Sequence, residues 1–265
     1  ASIATTATYD EATQEFVIHT PFKGAWKDYL GNAALHGRAA TVFAQLITRG
    51  VNHGVHCFYV PIRDEESAFL HGPVDELCAM LDEWKINWEW RDLPPEVWAF
   101  IKAKKFFGMI IPKEFGGLGF SPYAHSEVVR KISSRSLTAA VTVMVPNSLG
   151  PGELLMRFGT KEQQDQWLPR LAAGQDIPCF GLTSPEAGSD AASLKTRADK
   201  DGDQYVINGA KAFISGAGST DVLVVMARTG GEGAKGISAF MVPAQTPGVS
   251  YGKAEEKMGW NSQPT

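Results

Sequence analysis

The sequence predicts an α+β fold, with a helical block over residues 65–175 between β-rich segments at 1–64 and 176–265. Three observations predict it. In 65–90, Leu70, Val74, Leu77, Cys78, Leu81, Trp84 and Trp88 recur at spacings of three and four, the helical period. Thr160-Lys161-Glu162-Gln163 has the form of a capping box and opens a helix to about Ala173. The two flanks repeat one strand pattern in the same order. Phe16-Val17-Ile18 matches Tyr205-Val206-Ile207, Val42-Phe43-Ala44-Gln45 matches Val225-Met226-Ala227-Arg228, and 54–61 matches 236–243.

In the first segment, Thr5, Thr6 and Thr8 lie in an extended run, 10–13 turns, and 15–19, 42–47 and 55–62 are strand candidates. Residues 48–54 are expected to be a loop, and Pro61 sits near a strand end where a missing donor is tolerable. In the helical block, Pro94-Pro95 starts a helix over 96–105, and Ser121-Pro122 reads as an N-cap and first turn. Helices are expected at 123–132, 137–145 and 151–158; the second is rich in Val and Thr, so packing must override propensity. Trp84, Trp88 and Trp98 fall on helical faces and read as core. In the last segment, strands are expected at 178–183, 193–199, 204–208, 211–215, 222–228 and 236–243, with Asp201-Gly202 at a hairpin turn.

The 265 residues carry a net charge of −4, so no broad basic surface for nucleic acid is implied. Three separated cysteines, Cys57, Cys78 and Cys179, suit neither a disulfide framework nor a metal site and fit a reducing compartment. No apolar run of transmembrane length occurs, and the first residues lack the pattern of a signal peptide, which predicts a cytoplasmic location. His53 and His56 have no third ligand beside them, so no metal is assigned, and His36 and His125 read as structural or solvated. Glu114 reads as a loop carboxylate, and Gly230-Gly231-Glu232-Gly233 as a turn between strands.

The chemistry-bearing stretch is 179–190, CFGLTSPEAGSD. An apolar run leads to a hydroxyl at Thr183, a Ser-Pro turn and a small-residue corner at Gly188 and Ser189. Such a corner lets backbone N–H groups and a hydroxyl approach an anion. A strand ending in a tight turn accounts for the same residues.

Longer stretches carry a resemblance. EFGGLGFS, VPNSLGPGELL, FGTKEQQDQWLPRLAAGQ and PCFGLTSPEAGSD occur in the order found in bacterial long-chain acyl-CoA dehydrogenases. From about 188 to 265, through KMGWNSQPT, the chain resembles the β domain of short- and branched-chain members. Residues 1–64, with YDEATQEFVIHTP and GVNHGVHCFYVPIRD, resemble the same β region of an acyl-CoA oxidase. The resemblance implies an all-helical N-terminal-type domain at 65–175, flanked by antiparallel, β-barrel-like middle-domain segments at 1–64 and 176–265.

It also implies FAD as cofactor and an acyl-CoA thioester as substrate, dehydrogenated between its α and β carbons. The electron acceptor is then an electron-transfer flavoprotein-like partner or oxygen, and the family suggests a homo-oligomer, in mitochondria or peroxisomes as well as cytoplasm. By the same resemblance Phe180 and Thr183 lie near the flavin ring, and Gly188 and Ser189 meet its pyrophosphate, with Ser189 also on the substrate side. Phe213 and Ser215 cover the ring face and edge, where the family commonly has tryptophan and threonine. Ser184 stands where many relatives have glutamate. Gly31-Asn32-Ala33, the counterpart of 216–218 in the first segment, is assigned no site. The family's catalytic glutamate belongs to a second helical domain without counterpart here, so the catalytic residue stays unassigned and a fragment or chimera is expected. A non-catalytic flavin- or acyl-CoA-binding piece is the other reading.

Overall fold

The computed structural model describes residues 3–22, 25, 39–61 and 64–265. The chain divides into two compact units, Ala1–Phe69 and Leu70–Thr265. Residues 31–33 and His36 lie outside the described residues.

The first unit is built on one sheet of β1 (Thr6–Asp10), β2 (Glu15–His19), β3 (Ala39–Thr48) and β4 (Val51–Pro61), in the order β2-β1-β3-β4. The loop expected at 48–54 is instead a two-residue turn. Arg49 and Gly50 both take positive φ, 49° and 77°. That matches the right-handed twist of the flanking strands, so pairing continues up to Thr48 and Val51.

The helical part begins with α1 (Asp64–His71) and α2 (Pro73–Met80), followed by a single π-helical stretch at Lys85–Trp90. One helix was expected across 65–90. Pro73 cannot continue a preceding helix but can start one, and Leu81 is extended at the end of α2. The break resets the apolar stripe, so the expectation of buried tryptophans is corrected. Trp84 and Trp88 are 67% and 52% exposed, with ring centroids 5.8 Å apart. Trp98, on α3 (Pro95–Ala103), is half-buried and donates its indole N–H to Asp92 Oδ1 at 3.2 Å.

Helices α4 (Pro122–Ser133) and α5 (Leu137–Ser148) are capped by Ser121 and Ser136, whose side chains accept from Ala124 N and Ala139 N. Burial of Ala139, Ala140 and Val143 outweighs the poor helical propensity of α5. After α6 (Pro151–Phe158), α7 (Lys161–Ala172) starts with both arms of the capping box made. Leu168 and Leu171 of α7 close a core with Ile111, Phe115 and Leu155. Asn147 fastens the 106–111 segment to α5. Its amide donates to Phe106 O at 2.7 Å and Val143 O at 2.9 Å, and its carbonyl accepts from Ile110 N at 3.3 Å.

The second sheet holds β5 (Pro178–Gly181), β6 (Arg197–Asp201), β7 (Gln204–Asn208), β8 (Val222–Arg228) and β9 (Ile237–Pro243). The order is β5-β8-β6-β7, with β9 on β8. β5 and β6 both run parallel to β8. The expected antiparallel, barrel-like arrangement is therefore corrected: among the described residues both sheets are mixed and neither closes. β9 occupies β8 from Val222 to Arg228, leaving one edge for β5 at 222–225 and β6 at 228. The strand expected at 211–215 does not form. Gly209, at φ 151°, passes so close to Thr196 that a Cβ would lie 2.7 Å from its Cα, and the chain turns out of the sheet there.

The two units share one frame, register for register. Tyr9 pairs with Phe16 as Lys200 pairs with Tyr205. Thr6 pairs with Gln45 as Arg197 pairs with Arg228, and Val42 with Phe58 as Val225 with Phe240. Even the cross-strand rings repeat, Phe16–Phe58 at 5.4 Å and Tyr205–Phe240 at 5.3 Å. Among the described residues no helix is long and apolar enough to cross a membrane.

Replacing Asn147 by Leu removes its bonds to Phe106 O and Val143 O and takes the acceptor from Ile110 N–H inside the helical part, at a cost of about 2 kcal/mol. Urea unfolding of the variant is expected to show that loss, with the slope unchanged.

Candidate functional site

The site grows from the end of β5. Its residues pair in register with β8, Pro178 with Val222 through Gly181 with Val225. Cys179 faces inward, in a cluster with Ile214, Leu223 and Ala244, and burial raises its thiol pKa. Phe180, one residue on, points to the opposite face and is half-buried. The pairing stops at Gly181, and the next residues form the corner.

Ser184 and Ala187 exchange two backbone hydrogen bonds, each 3.1 Å, across the Pro185-Glu186 turn. Glu186 Oε1 accepts from Lys195 N at 2.9 Å, which closes the loop and holds its carboxyl below the usual range. Gly188 and Ser189 lie on the outside of that loop, both exposed. A Cβ at Gly188 would meet nothing within 4 Å, so its backbone is open to solvent.

The 211–215 stretch comes alongside. Ala212 N donates to Thr183 O at 3.0 Å. Phe213 then takes φ 56° with its ring 72% exposed. A bulky side chain in the left-handed region costs on the order of 1 kcal/mol, and an exposed ring returns no burial for it. Ser215 lies beyond the buried Ile214 and lines a cleft of about 980 Å³ between the helical elements and the second sheet. Trp88, Trp98, Thr138 and Thr142 line the helical side. Thr138 Oγ1 meets Ser262 Oγ at 2.5 Å, and Ser262 donates to Asn87 Oδ1 at 3.1 Å, tying the last residues into this cleft.

The structure thus joins Thr183 to Ala212, the residue before Phe213, through one main-chain bond and sets Ser215 on the cleft. Phe180, Gly188 and Ser189 belong to the same corner but do not line that cleft. Within the described residues the hydroxyls of Thr183, Ser189 and Ser215 make no hydrogen bond. Three free hydroxyls, a bare glycine and an exposed ring face offer donors and a flat apolar surface to a heteroaromatic ligand with an anionic group.

Two residues of the corner escape sequence reasoning. Lys211 Nζ donates to Leu182 O at 3.0 Å and to Ser184 Oγ at 3.1 Å. Burial pushes its pKa down to about 8, which the Glu186 carboxylate opposes. Arg228, at the end of β8, donates to Ala192 O at 2.7 Å and Leu194 O at 3.1 Å. It also donates to Gly231 O and Gly233 O, so the glycine-rich turn wraps a guanidinium. The signal for Arg228 was its alignment with Gln45, whose amide makes the matching bond to Ile3 O at 3.3 Å.

Residues 63–175 match the family model described as acyl-CoA dehydrogenase, N-terminal domain, and residues 179–265 that of the middle domain. The chain is similar to the mitochondrial isobutyryl-CoA dehydrogenase of Dictyostelium discoideum, 37% identical over 208 residues, covering 78% of this chain and 50% of that protein. Among solved structures it resembles butyryl-CoA dehydrogenase from Megasphaera elsdenii, with TM-score 0.65, 27% identity, and 76% of this chain and 54% of that one covered. It also resembles a glutaryl-CoA dehydrogenase from Mycobacterium smegmatis in complex with FADH2, with TM-score 0.64, 27% identity, and 76% and 51% covered. The chain spans about half the length of these relatives.

Lys211 sets a pH dependence whose sign follows from linkage. The unfolded lysine keeps its proton to about 10.5, the folded one only to about 8. Between those values the unfolded chain binds more protons, so stability rises with pH across that window. Urea midpoints of the wild type are expected to rise there relative to those of Lys211→Met.

Proposed function

Because the chain belongs to the acyl-CoA dehydrogenase family, we propose that it forms the flavin- and thioester-holding part of an FAD-dependent acyl-CoA dehydrogenase. The observation that carries this reading is the corner itself, with unclaimed hydroxyls at Thr183 and Ser189 and, along 211–215, an exposed Phe213 in a strained conformation followed by the cleft-lining Ser215. Strain held at one exposed aromatic is the mark of a residue kept for a ligand rather than for packing.

These residues fit FAD by chemistry. Thr183 and Ser215 supply hydroxyl donors for the ring edge, Phe213 and Phe180 apolar surface for its face, and Gly188 and Ser189 an N–H and a hydroxyl for the pyrophosphate. Ser189 also serves the coenzyme A side of the substrate. FAD, when bound, supplies the hydride acceptor for the β hydrogen of an acyl thioester. The chain's own part is to bind and orient. Phe213 for the commoner tryptophan keeps an apolar face without an indole donor, and Ser215 for threonine keeps the hydroxyl. The cleft at Ser215 takes the acyl group against Thr138 and Thr142 of α5. No glutamate of this sequence carries the motif of the family's base, and no proton-abstracting residue is assigned. With FAD bound, an electron-transfer flavoprotein-like partner would be the electron acceptor, or oxygen if the chain works as an oxidase.

Titration of FAD with the purified chain is expected to quench flavin fluorescence, and butyryl-CoA to perturb the spectrum of the bound flavin. Thr183→Ala removes one hydrogen bond and weakens FAD binding by roughly tenfold. Absence of any quench with the wild type overturns the reading.

A further inference from the structure

Lys211 stands inside the corner rather than on its surface. Its side chain crosses beneath Gly181, where a Cβ would lie 3.8 Å from Lys211 Cγ. Its Nζ bridges Leu182 O and Ser184 Oγ, the residues on either side of Thr183. Ser184 is 3% exposed, so that bond is sheltered from water. The backbone of the next residue, Ala212, holds Thr183 O itself. One side chain and one N–H thus grip three consecutive residues of the corner.

The charge on that grip is not neutralised at contact distance. Among the described residues no carboxylate forms an ion pair with Lys211. Glu186 acts on it only through space, its Oε1 being spent on Lys195 N, and Lys195 adds a second cation to the same loop. The residue that accepts from Nζ at position 184 is a neutral serine. A half-buried ammonium with no carboxylate at contact distance attracts a ligand that brings negative charge.

We propose that Lys211 is the cation of the flavin corner, a positioning residue that fixes the Thr183 loop and stabilises the negative charge that FAD brings to it. The inference rests on the reading of the corner as a flavin site. Its consequence is coupled proton uptake. An anion binding nearby favours the ammonium, so it raises the Lys211 pKa, and by linkage FAD binds more tightly where the lysine is charged. FAD affinity then falls as pH rises past the point where the free lysine loses its proton, about 8.

Two measurements test it together. Competitive acetylation of Lys211, followed by mass spectrometry, gives its titration midpoint with and without FAD. FAD affinity between about pH 7 and pH 9.5 is compared in wild type, Lys211→Arg and Lys211→Met. The expected result is a midpoint near 8 that FAD moves upward, and a wild-type affinity that drops roughly tenfold over that range. Lys211→Arg stays charged and is expected to bind without pH dependence. Lys211→Met is expected to bind at the weaker, high-pH level throughout. A midpoint at the ordinary lysine value, a midpoint that FAD leaves unmoved, or one pH profile shared by wild type and Lys211→Met overturns the proposal. FAD that binds with such a flat profile leaves the flavin reading standing, whereas FAD that binds none of the proteins removes both.

Discussion

The parallel pairing of β5 with β8 fixes where the chain leaves the second sheet, and the corner takes its shape from that point. Gly181 closes the ladder opposite Val225, where a Cβ would lie 3.3 Å from Val224 O, tighter than ordinary contact. Leu182, Thr183 and Ser184 must then turn, and their carbonyls and hydroxyl need partners. Ala212 N and Lys211 Nζ meet that need, and Phe213, the next residue, sits in the left-handed region. The ring is exposed and Ser215 lines the cleft.

The duplicated frame shows which parts are generic. Both units keep a buried threonine and a buried alanine at matching places, Thr5 and Ala7 in one, Thr196 and Ala198 in the other. Both join β1 or β6 to its neighbour through the same backbone bond, Gln45 N to Thr5 O and Arg228 N to Thr196 O. The difference lies in what is hung on the frame. Gln45 makes one side-chain bond to Ile3 O, whereas Arg228 in the same place gathers carbonyls from both flanking loops. A sheet that serves as a scaffold carries its chemistry on such loops.

Sequence periodicity made the helices and strands legible where local signals agreed. The capping box at Thr160, the serine cap at Ser121 and the strands at 204–208 and 222–228 stand where spacing and turn residues put them. It failed where a tertiary contact overrode the pattern. Apolar alternation at 211–215 looks like a strand, but Gly209 against Thr196 turns the chain aside. The tryptophans at 84 and 88 follow a helical period that the break at Leu81 interrupts. The corner residues were legible as a motif, while the amine beneath them was not. Lys211 looks like any strand lysine until the fold places Leu182 and Ser184 above it.

β5–β8 pairing and the Ala212–Thr183 bond build the corner before any ligand arrives. Amide hydrogen exchange of Ala212 in the flavin-free protein tests it directly. Protection comparable to that of Val224 within β8, unchanged when FAD is added, is the predicted result. Exchange at the rate of an open loop, slowing only with FAD, would mean that the ligand, not the sheet, builds the corner.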